Sequence, residues 1–131
     1  MNKIKKTEKE WREILSEEEY YITREKGTEP AFSGKEFDIS KDGSFICKCC
    51  SAELFDSSTK YDSGSGWPSF FDGISKKAIK TEIDNSHGVI RTEIMCANCD
   101  AHLGHVFDDG PKPTGKRYCV NSLSIKYKTI E

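Results

Sequence analysis

No stretch of this 131-residue chain approaches the roughly 20 consecutive apolar residues that a membrane-crossing helix needs. Nor does one sign of charge dominate: 20 basic and 22 acidic residues are interspersed, for a net charge of −2 and a pI near 6.0. Without a basic stripe, neither nucleic acid nor an anionic lipid surface is an expected partner. The basic start, Met1 to Lys6, runs into Thr7-Glu8-Lys9-Glu10 rather than an apolar segment, which excludes an ordinary secretory signal. A cytoplasmic location is expected, where thiols stay reduced and paired cysteines read better as metal ligands than as disulfides. There is no low-complexity segment and no internal repeat beyond two cysteine pairs. At 14.8 kDa the chain is expected to form one domain, residues 1–131, that buries about two-thirds of its unfolded surface.

What is present begins with helix signals. Thr7-x-x-Glu10 and Ser16-x-x-Glu19 both fit a capping box. They predict short helices over Glu8–Leu15 and Glu17–Lys26, with Gly27 as the stop. Residues 1–27 thus form a helical layer, and 28–131 a β core. Thr28 to Gly43 reads as loop, punctuated by Pro30, Gly34 and Gly43. Strands are expected at Ser44–Cys47, Ala78–Ile83, Val89–Met95 and Ala101–Phe107, with Asp84 to Gly88 as a hairpin turn. Lys116–Lys128 alternates regularly and reads as one last strand.

Six cysteines sort by spacing. Cys47-x-x-Cys50 and Cys96-x-x-Cys99 are two knuckles, each able to present both sulfurs to one tetrahedral ion. Four thiolates leave no coordination position for water, so one structural Zn2+ per chain is the leading expectation, with disulfides or a redox pair as the alternative. The 45 residues between the knuckles exceed the span of a compact zinc ribbon. Loop closure costs little more at that length, and the insertion is expected to carry function. His102 and His105 continue the spacing of three from Cys99, but histidine ligation is less expected with four thiolates at hand.

Cys119 stands apart in Arg117-Tyr118-Cys119-Val120-Asn121-Ser122. On a strand, Arg117, Cys119 and Asn121 share one face. A cation there favours the thiolate, which is the nucleophile, and Asn121 can donate to the sulfur or to a substrate. A free cysteine is often just a small buried residue. Two segments weigh against that here: the aromatic loop Gly64-Ser65-Gly66-Trp67-Pro68-Ser69-Phe70-Phe71, and His102-Leu103-Gly104-His105-Val106-Phe107-Asp108-Asp109, which supplies two imidazoles followed by an acid suited to proton handling.

With these motifs the chain resembles the B-type methionine sulfoxide reductases. The resemblance runs from Gly27-Thr28-Glu29-Pro30 through Cys47-x-x-Cys50, Tyr61 to Phe70, Cys96-x-x-Cys99 and His102 to Phe107, ending at Arg117 to Ser122. It implies a mainly β fold of two antiparallel β-sheets with short N-terminal helices and a zinc-bound pair of CxxC knuckles. The activity it implies is reduction of methionine-R-sulfoxide, in oxidised proteins or peptides, as protein repair under oxidative stress. By that resemblance Cys119 attacks the sulfoxide sulfur and becomes a sulfenic acid. His102 and His105 hold and polarise the oxygen, Asp109 orients them, Arg117 and Asn121 flank the nucleophile, and Trp67 packs on the S-methyl group. Many members carry a second, resolving cysteine where this chain has Ser65, and serine cannot form that disulfide. Either an outside thiol (thioredoxin or a low-molecular-weight thiol) attacks the sulfenic acid, or the spare Cys49 takes over as resolver. A monomer is expected. The competing readings are a zinc-stapled binding module and a Cys-His hydrolase that needs no reductant.

Overall fold

In the computed structural model, which describes residues 6–30, 42–61, 63–75, 77–85, 88 and 90–129, both helices start where their caps predict. Helices α1 (Glu8–Ile14) and α2 (Glu17–Arg24) each carry a complete capping box, Thr7 with Glu10 and Ser16 with Glu19. Each box satisfies two backbone N–H groups that a helix start leaves without partners. Helix α2 ends before Gly27: Lys26 takes the left-handed conformation (φ 58°), and Gly27 donates back to the Tyr21 carbonyl. Trp11, Leu15 and Tyr20 carry the helical layer into the core, and the Arg24 guanidinium lies 4.4 Å from the Trp11 ring.

The rest is two antiparallel sheets, as expected. β1 (Gly43–Cys47) lies between β2 (Glu53–Asp56) and β9 (Ile125–Thr129). The larger sheet runs β3-β4-β8-β7-β6-β5. Its members are β3 (Lys60–Tyr61), β4 (Ser69–Phe70), β5 (Ile79–Asp84), β6 (Arg91–Cys96), β7 (His102–Phe107) and β8 (Arg117–Val120). Three fully buried phenylalanines join the sheets. Phe55 of β2 stacks on Phe70 of β4 at 4.2 Å, and Phe45 of β1 meets the same ring edge-on at 4.9 Å. Both geometries suit the ring quadrupole.

One expectation is corrected. Residues Lys116–Lys128 are not a single strand: β8 and β9 belong to different sheets, and a 3-10 turn over Ser122–Ser124 separates them. The cause is a residue 93 positions upstream of Ser122. The buried Glu29 accepts from the Ser122 hydroxyl and the Leu123 N–H, both at 3.0 Å, and its own N–H donates to Asn121 Oδ1. Buried polar groups must find partners, and here a turn satisfies them where a continuous strand would not. The short β2, β3 and β4 gave no periodic signal. The expected loop at 31–41, including Gly34, lies outside the described residues, as do Met1 to Lys5, Asp62 and the hairpin positions Ser86, His87 and Val89. Among the described residues no helix is long and apolar enough to cross a membrane.

Candidate active site and metal centre

The knuckles bring four sulfurs together. Cys47, Cys50, Cys96 and Cys99 place their Sγ atoms within 4.8 Å of one another, and Cys47–Cys99 and Cys50–Cys96 are each 3.6 Å apart. Four sulfurs bound tetrahedrally to zinc at about 2.3 Å would lie about 3.8 Å apart, so an ion fits at the centre with little movement. The two knuckles are built alike. Ser51 and Asp100, next after the second cysteine of each, are left-handed (φ 65° and 64°) and donate back to the Cys47 and Cys96 carbonyls. The four cysteines are therefore positioned to bind a metal, and neither histidine belongs to the set. Cys49 sits against this cluster, where hydrogen bonds, foremost with Cys47, pull its thiol down.

The sheet register builds the second site. Glu93↔His105, His105↔Cys119 and Ser69↔Cys119 are directly opposed pairs, so one row across β6, β7, β8 and β4 carries Glu93, His105, Cys119 and Ser69. Side chains opposed in this way share a face, with Cβ atoms about 5 Å apart. His102, an odd number of residues before His105, would face away on a regular strand. A bulge prevents that. β6 pairs Ile94 with Gly104 but Met95 with His102, so Leu103 is an extra residue. Both imidazoles then meet on one face, their centroids 5.7 Å apart.

The carboxylates that hold them are not the one expected. His102 Nδ1 lies 2.8 Å from Glu93, itself bridged to Lys26, and His105 Nε2 lies 2.8 Å from Asp84. Asp109 instead grips Arg117, accepting from Nε at 2.8 Å and Nη2 at 3.2 Å. That leaves Arg117 Nη1 to donate to Cys119 Sγ at 3.4 Å, and the guanidinium stacks 4.4 Å from the Phe107 ring. Burial pushes the His102 pKa down despite Glu93. A neutral His102 donates from Nδ1 to Glu93, and its buried Nε2 has no partner among the described residues.

This depression carries a sign. The unfolded chain takes up His102's proton near 6.5 and the folded one resists, so folding is fully favoured above that pH and loses stability as pH falls through it. We expect the urea midpoint to drop between pH 7.5 and 5.5, with a shallower drop in His102→Asn; equal slopes in both proteins would refute this assignment.

Trp67 enters from the glycine-framed loop, its indole N–H donating to the Glu29 carbonyl at 2.8 Å. Together Trp67, His105, Phe107, Arg117, Cys119 and Arg91 line a pocket of about 200 Å³. Asn121 also borders it, but its amide is engaged by backbone: it donates to the Leu103 carbonyl at 3.2 Å and accepts from Glu29 N–H. It fixes the strand end rather than reaching the sulfur. Ser65 Oγ lies 3.6 Å from Cys119 Sγ.

Glu93, Asp84 and Glu29 escaped the sequence reading. The one signal was Glu93, a charge directly before Ile94 and Met95 in the expected strand Val89–Met95.

Gly104 is required by close approach. A Cβ built there would stand 1.9 Å from the Cys119 carbonyl oxygen. Gly104→Ala must therefore push β7 and β8 apart beneath Cys119. A loss of about 2 kcal/mol or more is expected from denaturant unfolding, with activity falling alongside; wild-type stability would contradict it.

Comparison with known proteins agrees with this geometry. The SelR domain model matches residues 15–129. Proteins named peptide methionine sulfoxide reductase MsrB are similar along the whole chain: 60% identical in Acinetobacter baylyi, 57% in Acinetobacter baumannii and 54% in Hahella chejuensis, each covering 100% of this chain and 94% of the relative. Among solved structures, the crystal structure of a Mis18 "Yippee-like" domain has TM-score 0.55 at 17% identity, covering 70% of this chain and 99% of that one, a likeness of fold alone. With a family model matched from residue 15 to 129 and relatives more than half identical over its full length, this chain belongs to the SelR-domain family of B-type methionine sulfoxide reductases.

Proposed function

We propose that the protein reduces methionine-R-sulfoxide in oxidised proteins and peptides to methionine, with a thiol as the electron source. The observation that carries this is the row across the sheet: Cys119 directly opposite His105, with the Arg117 guanidinium on its sulfur. The names of the relatives supply the substrate class, peptide methionine sulfoxide, and the resemblance to the B-type family supplies the R epimer.

Trp67 and Phe107 form the apolar side of the pocket, suited to the S-methyl group and side-chain methylenes. The Cys119 thiolate attacks the sulfoxide sulfur. The oxygen must gain a proton, which His105, held by Asp84, supplies directly or through water, while neutral His102, held by Glu93, offers its bare Nε2 as an acceptor that orients that water. That attack forms an S–S bond; the protonated oxygen leaves as water, and a water then adds to Cys119 Sγ as the S–S bond breaks, releasing methionine and leaving Cys119 as a sulfenic acid. Asp109 positions Arg117, and Asn121 and Glu29 hold the strand end and the indole.

Regeneration by an outside thiol is the better-supported route. Cys49 keeps company with Cys47, Cys99, Thr23 and Arg24, whereas Cys119 has Arg117 and Ser65 beside it. Cys47, Cys50, Cys96 and Cys99 would hold a structural Zn2+, which would supply no chemistry to the reaction and would tie the two knuckles together.

The test is turnover of the separated R and S sulfoxides of an N-blocked methionine with dithiothreitol. R-only reduction is expected; equal rates for both epimers, or no turnover by folded protein, would overturn the proposal. Peptide mapping after one turnover without thiol should find a trappable sulfenic acid at Cys119 and no Cys49–Cys119 disulfide.

A further inference from the structure

Cys119 Sγ has two hydrogen-bonding neighbours, Arg117 Nη1 at 3.4 Å and Ser65 Oγ at 3.6 Å. Arg117 belongs to the wall of the sulfoxide pocket, but it also borders a second depression of about 590 Å³ that Trp67, His105 and Phe107 do not line. That second pocket is walled by Tyr61, Ser63, Ser65, Asp109, Pro111 and Arg117. Ser65 therefore stands between the nucleophile and a polar pocket that the mechanism above leaves unused.

Three features suit that pocket to a small polar thiol. The Tyr61 hydroxyl is buried with no partner among the described residues, and burial pushes its pKa up, which keeps it a donor. The Ser63 hydroxyl donates to Ser65 Oγ at 2.8 Å, so the serine facing the sulfur is held in place. Arg117, its charge offset by Asp109 in the same wall, keeps Nη1 on Cys119 Sγ, so a thiolate, the reactive form, that enters from this side meets the sulfur beside a hydrogen-bond donor. To uncover Sγ, Ser65 gives up its bonds from Ser63 and the Trp67 N–H and changes rotamer, a small movement for a side chain one oxygen long.

We infer that the pocket behind Ser65 is the subsite for a low-molecular-weight thiol reductant, which reaches the oxidised Cys119 without passing through the sulfoxide pocket. This rests on the reductase reading above. The first thiolate displaces hydroxide from the Cys119 sulfenic acid: an S–S bond forms, the S–O bond breaks, and the oxygen leaves as water after taking one proton. A second thiol attacks the mixed disulfide, returning reduced Cys119 and releasing the oxidised thiol dimer. Two thiols are oxidised for each sulfoxide reduced.

Two half-reactions test this on the full protein. Without thiol, methionine-R-sulfoxide should give a burst of one methionine per chain. Glutathione is then added, and loss of the sulfenic acid is followed by mass. S-methylglutathione, which cannot react, should slow the glutathione step and leave the burst untouched. Tyr61→Phe should raise the glutathione concentration needed for half-maximal rate about fivefold, the effect of one neutral hydrogen bond. If S-methylglutathione slows the burst, the thiol uses the sulfoxide pocket and the inference is wrong. If it slows neither step, there is no subsite. Absence of the burst itself would overturn the reductase reading, and this inference with it.

Discussion

Cys119→Ser should abolish sulfoxide turnover while leaving the protein folded, a loss of about a thousandfold or more in rate. Serine matches the site sterically: residue 119 is buried, its Arg117 and Ser65 neighbours accept a hydroxyl as readily as a thiol, and no core contact is lost. The chemistry does not survive. A hydroxyl in this setting has no base poised to ionise it fully, and oxygen is a poor nucleophile toward sulfoxide sulfur beside a thiolate. It also cannot accept the sulfoxide oxygen as a sulfenic acid does. Removing a nucleophile commonly costs orders of magnitude beyond what neighbouring groups retain. The measurement is R-sulfoxide turnover beside circular dichroism and thermal unfolding. Residual turnover within tenfold of wild type would shift the nucleophile elsewhere, with Cys49 the next thiol to test.

The histidine pair shows how far the sequence reached and where it stopped. Both imidazoles were visible as a motif, but the reason they cooperate was not. Strand periodicity alone would put His102 and His105 on opposite faces, and only the extra Leu103 in β7 restores them to one. A bulge depends on pairing with β6, which local pattern cannot report. Their carboxylates were hidden for a related reason. Glu93 and Asp84 lie on strands 9 and 21 residues away in sequence from their histidines and become neighbours through register. Asp109 is nearer to the histidines in sequence, and the structure gives it to Arg117. The four-cysteine cluster, by contrast, is legible, because a Cys-x-x-Cys turn is local and its spacing suits a tetrahedral ion. The helix caps were legible for the same reason. The alternation through Lys116–Lys128 misled because it continues smoothly across the point where Glu29 turns the chain from one sheet to the other.

The four-cysteine cluster links the two sheets at a second place beside the three phenylalanines, and the largest stability effect is expected from depriving it of metal. The first knuckle closes β1 of the small sheet, and the second connects β6 to β7 of the large one. One ion would therefore bind residues 47 and 50 to residues 96 and 99, across both sheets and the 45-residue insertion. Helix α2 depends on the same point, because Arg24 donates to the Cys99 carbonyl at 2.7 Å. Structural zinc contributes about 10–16 kcal/mol in small peptides that fold only with metal. This chain has a core of its own, so part of that magnitude should appear: stripping the metal, or Cys96→Ser, should lower Tm by about 10 °C or more. Activity should fall with it, since β7 begins at His102, three residues beyond Cys99, and the Ala101 carbonyl accepts from Cys96 N–H. Elemental analysis should find one zinc per chain in wild type, and Cys49→Ser should keep it, since Cys49 is outside the four-sulfur set. A metal-free preparation with unchanged Tm and no free thiols at these positions until a reductant is added would replace the ion by disulfides. Loss of Tm without loss of activity would mean that the row from Glu93 to Ser69 holds its register without the staple.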